Sequence, residues 1–288
     1  MVRRNATLLA RDLPWIEHAD PWAVLVSEVM LQQTQASRVI DPWKGFLNAF
    51  STPASCARAP LSEILRLWSG LGYHRRAKAL HDAAMMIRDE FGGAVPASVV
   101  DLRRLPGVGE YTANAVASFA FGRNVAVVDT NVGRVLARAV ANRTLSVSDA
   151  RSTANELLPR NDAASFNQAM LDLGAQYCTA TPRCQTCPVA RVCRWNLEGG
   201  PDPAPRSAGV SRPQARFQGS DRQARGRVLA ALRERPRSMR HLVACVDDGD
   251  PRRGATLVAG LIADGLIERH GQRVRLCGDE RDVPRARG

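Results

Sequence analysis

Apolar residues recur at three- and four-residue spacing through most of the chain from Pro21 to about Leu197. This is the periodicity of amphipathic helices, and Pro, Gly or short polar breaks separate the segments. No run in this region alternates apolar and polar residues cleanly enough to require a strand. The pattern therefore predicts a mainly α, bundle-like region with helices at 22–37, 61–68, 75–91, 110–121 and 131–140.

The composition changes after Glu198. Residues 199–220 are rich in Gly, Pro and Ser, which is typical of a linker. Residues 221–288 then show three short helical patterns followed by the sequence LIERHGQRVRL, which resembles two strands around a turn at His270-Gly271. Three helices followed by a hairpin predict a small winged-helix-like domain that could dock on DNA, and the alternative is a generic helical appendage.

The chain is strongly basic. It has 288 residues with 40 Lys and Arg against 28 Asp and Glu, a formal net charge of +12. Such a balance favours a polyanionic partner, although a merely soluble basic protein remains the alternative. The sequence contains no apolar run long enough for a membrane span, and its start, MVRRNATLLARDLPW, does not resemble a signal peptide. We expect a monomer in the cytoplasm, associated with the nucleoid.

A glycine-rich hairpin precedes one of the predicted helices. Residues 105–113 are LPGVGEYTA, and an apolar helical run follows. Gly107 and Gly109 would allow the backbone N–H groups at the helix start to approach an anion, aided by the helix dipole. The string predicts a helix-hairpin-helix that holds a DNA phosphate through Leu105, Gly107, Val108 and Gly109, whereas the alternative is an ordinary loop.

Four of the seven cysteines fall within a sixteen-residue segment, CTATPRCQTCPVARVC. In a reducing compartment such clustering favours metal ligation over disulfides. The spacing suits either an iron–sulfur cluster or zinc. The candidate ligands are Cys178, Cys184, Cys187 and Cys193.

Five motifs occur in a family order: VSEVMLQQTQ at 26–35, GLGYHRRA at 70–77, LPGVGEYTA, VDTNVGRVLAR and FNQAMLDLGA. On the basis of these motifs, residues 12–197 resemble the MutY family of adenine DNA glycosylases, which belongs to the helix-hairpin-helix, endonuclease III superfamily. The resemblance implies a six-helix domain at 21–130 and a cluster-bearing helical domain made of 1–20 and 131–198. It also implies a [4Fe-4S] cluster on the four cysteines, although the first cysteine spacing is one residue shorter than the family pattern.

The resemblance assigns the chemistry to two carboxyl groups. Glu28 would hold a proton near neutral pH and deliver it to a ring nitrogen of adenine. Asp129 would stabilise the oxocarbenium-like sugar, whereas by composition alone it would be only a helix N-cap. Asn131 and Tyr111 would orient Asp129 and the substrate. Tyr111 also stands where strand-cleaving relatives have a nucleophilic Lys, so we expect no efficient strand cleavage at the abasic site.

The resemblance also implies contacts to an extruded base. Gln33 and Tyr73 would fill the gap beside the partner base, and Trp15 and Gln168 would lie near the adenine pocket. Simple packing is the alternative for Tyr73, Trp15 and Gln168. The chain departs from the family at His74, where a second aromatic residue is common.

The implied substrate is DNA that contains adenine opposite 8-oxoguanine or guanine, with 8-oxoguanine preferred. Many family members read the oxidised base with a domain that resembles nucleotide pyrophosphohydrolases, which residues 221–288 do not resemble. One alternative is a related glycosylase that acts on mismatched thymine or oxidised pyrimidines. The alternative of another class is a non-catalytic, cluster-containing DNA-binding protein.

Overall fold

The computed structural model describes residues 9–16, 18–207, 210, 216–246 and 250–281. The first eight residues, on which the expectation about a signal peptide partly rests, lie outside this set. The chain forms two compact units. Unit 1 comprises residues 1–25, 97–103 and 108–213, and unit 2 comprises residues 26–96, 104–107 and 214–288.

The region before Gly199 is helical, as the periodicity predicts. Its helices, in chain order, are α1 (Pro21–Leu31), α2 (Ile40–Ala49), α3 (Pro53–Arg58), α4 (Leu61–Leu67), α5 (Arg75–Glu90), α6 (Val99–Leu102), α7 (Glu110–Phe121), α8 (Thr130–Val135), α9 (Val147–Leu157), α10 (Ala163–Gln176) and α11 (Arg194–Glu198). A π-helix, Leu136–Ala141, continues α8. Short 3-10 turns lie at Ala36–Arg38, Cys184–Thr186, Ala190–Val192 and Ala204–Arg206.

Local sequence signals account for several helix starts. Thr52 and Ser55 form a capping box at α3, where Pro53 takes the first helical position. Ser146 and Asp149 form the same arrangement at α9. One expected helix is shorter than its apolar pattern, because α1 ends at Leu31 and Gln33 takes a positive φ of 55°.

Each unit has its own apolar core. In unit 1 the core includes Val127 before α8, Leu136 in the π-helix and Leu173 in α10, each 0–1% exposed. In unit 2 the rings of Phe46 and Trp68 meet edge to face at 6.4 Å, and both side chains are fully buried. These cores fix the helices that carry the candidate site residues.

Residues 221–276 form the expected winged helix. Its elements are α12 (Asp221–Glu234), β1 (Arg237–Ser238), α13 (Met239–Val246), α14 (Pro251–Ala263), β2 (Ile267–His270) and β3 (Arg273–Leu276). The sheet order is β1-β3-β2, with both pairs antiparallel and Ile267 opposite Leu276. The two longer strands and the three helices confirm the prediction, whereas β1 was not expected.

Within unit 2 the winged helix packs against α4 and α5. Arg66 of α4 contacts the buried carboxylate of Asp279 at 2.5 Å, and the Ser62 hydroxyl donates to the carbonyl of Gly278 at 3.3 Å. Arg75 of α5 pairs with Asp264 at 2.6 Å. The winged helix is therefore docked on the helices of unit 2 rather than held by its linker alone.

Part of the expected linker is also packed. Asp202 receives two hydrogen bonds from buried Arg138, at 2.8 and 2.6 Å, and the Ser207 hydroxyl accepts from the Leu145 N–H at 3.1 Å. Residues 202–207 thus belong to unit 1, whereas 208–209 and 211–215 lie outside the described residues. The domain boundaries that the sequence predicts at 21–130, 1–20 with 131–198, 199–220 and 221–288 do not coincide with the two units and stay a prediction.

Among the described residues, no helix combines the length and the apolar character that crossing a membrane requires.

Candidate functional site

Asp129 caps helix α8 in unit 1. Its Oδ1 accepts a hydrogen bond from the Val132 N–H at 2.8 Å, and its Oδ2 accepts one from the Asn131 side chain at 2.6 Å. The N-cap geometry that the sequence allowed is therefore present. It fixes the orientation of the carboxyl group that the resemblance places beside the sugar.

The electrostatic setting of Asp129 is balanced between burial and donors. Burial raises the pKa of the Asp129 carboxyl. The hydrogen bonds from Val132 and Asn131 and the charge of Arg134 oppose that rise. Ionisation of this carboxyl group therefore depends on its donors, which the sequence analysis did not weigh.

Arg134 extends the network from Asp129 toward the cysteine segment. Its guanidinium donates to Asn131 Oδ1 at 2.6 Å, to the Gly174 carbonyl at 3.0 Å and to the Cys178 carbonyl at 2.7 Å. A Cβ at Gly174 would lie 2.5 Å from the Asn131 carbonyl oxygen, so only glycine permits this approach of α10 to α8. The acidic site residue and the first cysteine are thus linked by hydrogen bonds within one unit.

Three further predicted residues lie in unit 1. Trp15 is buried, and Tyr111 packs against the apolar core of this unit. The Gln168 amide donates to Asp172 Oδ1 at 2.9 Å, and the same oxygen receives Arg11 Nε at 2.6 Å. Asp172 is 1% exposed, so it holds the Gln168 amide in one orientation.

The four clustered cysteines line a single cavity in unit 1. Burial raises the pKa of the Cys178 and Cys187 thiols. In the described residues, no three His, Cys, Asp or Glu side chains converge closely enough to share one metal ion. The four predicted ligands therefore line one cavity without the geometry of a single-ion site. This arrangement suits a larger group that bridges the four sulfurs.

Arg138 forms one wall of this cysteine cavity. Its side chain is 1% exposed, donates to Cys178 Sγ at 3.4 Å and pairs with Asp202. A buried cation beside sulfur favours the thiolate form that ligates metals. Hydrogen bonds from Arg138 also hold Asp202 at a pKa below its usual value.

Glu28 lies on α1 in unit 2. Its side chain is 5% exposed, and its neighbours Ser27, Val29 and Met30 are also buried. The carboxyl group therefore lies in the desolvated setting that the sequence analysis expects of a proton donor.

A buried arginine holds the end of α1. Arg76 donates to the carbonyls of Val29, Met30 and Gln32, at 3.0, 2.8 and 2.5 Å, and to Thr34 Oγ1 at 3.0 Å. Burial lowers the pKa of Arg76 to about 10, which still leaves it charged at neutral pH. The guanidinium thus satisfies carbonyls at the helix end that carries Glu28.

The two predicted wedge residues share an unusual backbone. Gln33 and Tyr73 have φ values of 55° and 47° and are two of the four non-glycine residues with positive φ in the described part of the chain. A side chain in this region costs on the order of 1–3 kcal/mol and persists where surrounding contacts enforce it. Such strain is typical of functional positions.

Gln33 and Tyr73 also line one cleft in unit 2. Its volume is about 460 Å³. The lining residues are Gln32, Gln33, Tyr73, His74, Arg75, Arg76, Arg222 and Arg225. Four arginines make this cleft suitable for a polyanion.

The glycine hairpin has the geometry that the sequence predicts. Gly107 has a φ of 76°, and a Cβ there would lie 2.7 Å from Ala79 Cβ. Gly109 caps α7 without a side-chain hydrogen bond among the described residues, and a Cβ there would meet open space. The side chains of Leu105 and Val108 are buried, so phosphate contact at these positions would come from the main chain.

The structure thus gathers the predicted residues into three groups. Asp129 and Asn131 are bonded, the cysteines share a cavity, and Gln33 and Tyr73 share a cleft. The arginines Arg76, Arg134 and Arg138 were missed. Each of these arginines lies in a motif that the sequence analysis interpreted through another residue. The four-residue spacing of Arg134 and Arg138 in an apolar helix could have indicated that both lie on one face.

Comparison with known proteins decides the family. Residues 26–160 match the family described as HhH-GPD superfamily base excision DNA repair protein. The adenine DNA glycosylase of Mycolicibacterium smegmatis is 42% identical over 264 residues, which cover 90% of this chain and 88% of that protein. The chain belongs to the adenine DNA glycosylase family. A match of this length includes part of residues 221–288, so the family likeness extends into the winged helix.

Solved structures agree on the fold of this adenine DNA glycosylase. A thermostable thymine-DNA glycosylase superposes with a TM-score of 0.62 at 28% identity, over 68% of this chain and 95% of that chain. A non-covalent endonuclease III–DNA complex gives 0.61 at 28% identity, over 68% of this chain and 94% of that chain. The helix-hairpin-helix glycosylase fold is confirmed, and the likeness to a DNA complex supports DNA binding.

Proposed function

We propose that this adenine DNA glycosylase extrudes adenine from a pair with 8-oxoguanine or guanine and breaks the N-glycosidic bond without cutting the strand. The observation that carries the proposal is the environment of Asp129. The carboxyl group is partly buried, and donors from Val132 and Asn131 hold it in one orientation. These donors and the charge of Arg134 favour its ionised form against the effect of burial, and a fixed anion is what a developing sugar cation requires.

Glu28 supplies the proton. A buried carboxyl group favours its neutral form, and transfer of its proton to a ring nitrogen lets adenine leave as a neutral base. The C1′–N9 electron pair goes to adenine, and C1′ becomes an oxocarbenium-like centre that Asp129 stabilises. Water then adds to C1′ and gives its proton to the Glu28 carboxylate, which restores the acid.

The reaction ends at the abasic site because Tyr111 offers no amine. A phenol cannot form the Schiff base with the open sugar on which β-elimination depends. Asn131 holds Asp129, and Tyr111 lies in the same unit as both. Intact strands that break only on treatment with alkali are the expected product.

Binding of the duplex uses features in both units. The start of α7, where Gly109 is the N-cap, presents the backbone amide groups and the positive dipole end of a helix to a phosphate. Gln33 and Tyr73 fill the gap that the extruded adenine leaves. Both residues have a strained backbone and line the arginine-rich cleft. Trp15 and Gln168 contact the extruded base, with the Gln168 amide held by Asp172.

The cysteine cavity would hold a [4Fe-4S] cluster, with Cys178, Cys184, Cys187 and Cys193, which line it, as the ligands. The fit rests on four thiols around one space and on the buried cation of Arg138 beside Cys178. When bound, the cluster supplies a covalent cross-link of the segment 178–193 and takes no part in bond cleavage. The protein acts as a monomer in the cytoplasm. Its net charge of +12 favours binding to nucleoid DNA.

A panel of duplexes under single-turnover conditions tests the function. We expect release of adenine opposite 8-oxoguanine and guanine, faster for 8-oxoguanine, with strand breaks only after alkali. Equal rates would refute the preference. Release of thymine from T:G pairs, or of oxidised pyrimidines, with adenine left intact would assign the chain to the rival activity of the same fold.

Iron analysis and visible absorption test the cofactor. Cys187→Ser should lose iron and the visible band, whereas Cys245→Ser, outside the cysteine cavity, should keep both. Stoichiometric zinc in place of iron would contradict the cluster assignment.

A further inference from the structure

The winged helix contributes an arginine to the cleft that holds Tyr73. Arg222 lies at the start of α12, and its guanidinium lies 5.1 Å from the centroid of the Tyr73 ring. The same group donates a hydrogen bond to the Tyr73 hydroxyl. The winged helix therefore contacts the residue that the proposed function places beside the partner base.

The ring of Phe217 also lies against this arginine. The Arg222 guanidinium lies 5.2 Å from the centroid of the Phe217 ring, and Phe217 is 54% exposed. Stacking of a planar guanidinium against two rings fixes its plane and directs its N–H groups edgewise. An exposed aromatic ring of this kind is also a surface on which a base can stack.

Two arginines lie close to the Tyr73 ring. Arg76 lies 5.4 Å from the ring centroid, and Arg222 lies at 5.1 Å. Nearby, Arg233 of α12 donates to Ser69 Oγ at 2.7 Å and contacts His74 Nε2 at 3.2 Å. Contacts between α12 and residues 69–74 thus fix the place of Arg222 relative to Tyr73.

We propose that Arg222 recognises the base opposite the excised adenine, by donating hydrogen bonds to the carbonyl edge of a guanine-type base. This inference rests on the proposed function, because that function places Tyr73 and Gln33 at the partner base. The arginine can donate to the O6 acceptor that guanine and 8-oxoguanine share, whereas cytosine has an amino donor in that place. The winged helix would then do the reading for which many relatives use a different C-terminal domain.

A phosphate contact by Arg222 is the competing explanation. Phosphate contacts weaken binding to every duplex alike, whereas a base contact changes the ratio between duplexes. The test therefore compares duplexes that differ only at the base facing the target nucleotide.

Equilibrium binding by the full-length, cluster-loaded protein provides the readout. The probes carry a tetrahydrofuran abasic analogue in place of the target nucleotide, opposite 8-oxoguanine, guanine, cytosine or a second tetrahydrofuran. Because these probes resemble the product, the measurement does not require catalysis. The variants are Arg222→Ala, Arg222→Lys and Tyr73→Phe, with Arg227→Ala as the matched control from the exposed face of the same helix.

We expect Arg222→Ala to weaken binding to the guanine and 8-oxoguanine probes by roughly 10- to 100-fold relative to the base-free probe. Arg222→Lys keeps the charge but lacks the planar guanidinium that lies against the rings of Tyr73 and Phe217, so it should lose most of the same preference. Tyr73→Phe removes the hydroxyl that accepts a hydrogen bond from Arg222, so it should lose a smaller part of the preference. Arg227→Ala should keep the ratios of the unmodified protein.

Three results would overturn the inference. They are a loss of equal size on all probes, no loss on any probe, or a Tyr73→Phe variant that reproduces the ratios of Arg222→Ala, since Arg222 would then act only through the tyrosine hydroxyl. Failure of the proposed function looks different. In that case the unmodified protein leaves adenine intact in the cleavage panel, whatever its binding ratios.

Discussion

The two units hold their candidate residues in opposite ways. In unit 1, Asp129 lies in a closed network in which every step from Val132 to Cys178 is a hydrogen bond of 3.0 Å or less. In unit 2, Gln33 and Tyr73 project from a strained backbone into an open cleft. A rigid network suits a group that must meet a transition state at a fixed place, whereas a cleft suits residues that meet DNA.

The comparison assigns chemistry to the network and recognition to the cleft. Changes in the network should therefore lower the rate of base release more than duplex affinity. Changes in the cleft should alter affinity and preference first. Glu28, in the part of α1 that belongs to unit 2, is the exception, since the proposed function gives it a role in chemistry while Arg76 holds the end of its helix.

The largest effect is expected for Asp129→Asn. Asn caps helices as well as Asp, so α8 should form, and the cost of ionising a buried carboxyl group disappears. Burial raises the pKa of Asp129, which means that its ionised form lowers the free energy of unfolding near neutral pH. We expect base release to fall by roughly 100- to 1,000-fold or more while the melting temperature stays equal or rises. A large drop in the melting temperature would show that capping is the main role of Asp129.

Arg76→Ala should cause the largest loss of stability. The change leaves carbonyls at the end of α1 without their buried donor, and hydrogen bonds to charged groups contribute about 1.5–3 kcal/mol each. We expect the free energy of unfolding to fall by at least about 3 kcal/mol in urea denaturation. Arg88→Ala on the same helix, which pairs with the adjacent Asp89 at the surface, should change it far less. An equal loss of unfolding free energy in the two variants would contradict the claim that Arg76 stabilises the end of α1.

Arg134→Ala separates rate from affinity in unit 1. It removes the donor that holds Asn131 and two bonds to the carbonyls of Gly174 and Cys178. We expect base release to fall by roughly ten-fold or more, as for other groups that orient a reacting residue, with duplex affinity nearly unchanged. Arg143→Ala, which removes an exposed pair with Asp149 and a hydrogen bond to the Thr144 carbonyl, is the control. If affinity fell as much as the rate, the network would not be specific to chemistry.

His74 gives the smallest expected effect, a dependence of stability on pH. Burial, followed by the charges of Arg233, Arg225 and Arg76, lowers the pKa of His74 to about 3. The unfolded chain binds a proton near its ordinary pKa of about 6.5 while the folded chain does not, so stability falls as the pH drops below that value. Between about pH 7 and about pH 5, we expect the native protein to lose roughly 1–2 kcal/mol more than His74→Gln does. Parallel losses in urea denaturation would show that His74 titrates normally in the folded state.

The sequence predicted what depends on local spacing. Helix periodicity, the N-cap at Asp129 and the strands around His270-Gly271 are all set by neighbours within a few residues. Strand β1 was missed because its two residues carry no alternation. The end of α1 was misplaced because the apolar pattern continues past Leu31, while the positive φ at Gln33 stops the helix.

Long-range contacts could not be predicted in the same way. Arg66 and Asp279 are 213 positions apart, and nothing in either sequence neighbourhood points to the other. Arg76 bonds mostly to backbone carbonyls, which every residue carries, so its acceptors leave no trace in the amino-acid sequence. The contact between Arg222 and Tyr73 joins two motifs that were read separately, one as a wedge and the other as the start of a winged helix.

Single-turnover release of adenine by Glu28→Gln from a duplex with adenine opposite 8-oxoguanine tests the central claim most directly. Glutamine keeps the size of the buried side chain but has no acidic proton to give. The account predicts that the variant binds this duplex with the affinity of the unmodified protein and releases no measurable adenine. Release at a rate close to that of the unmodified protein would contradict it.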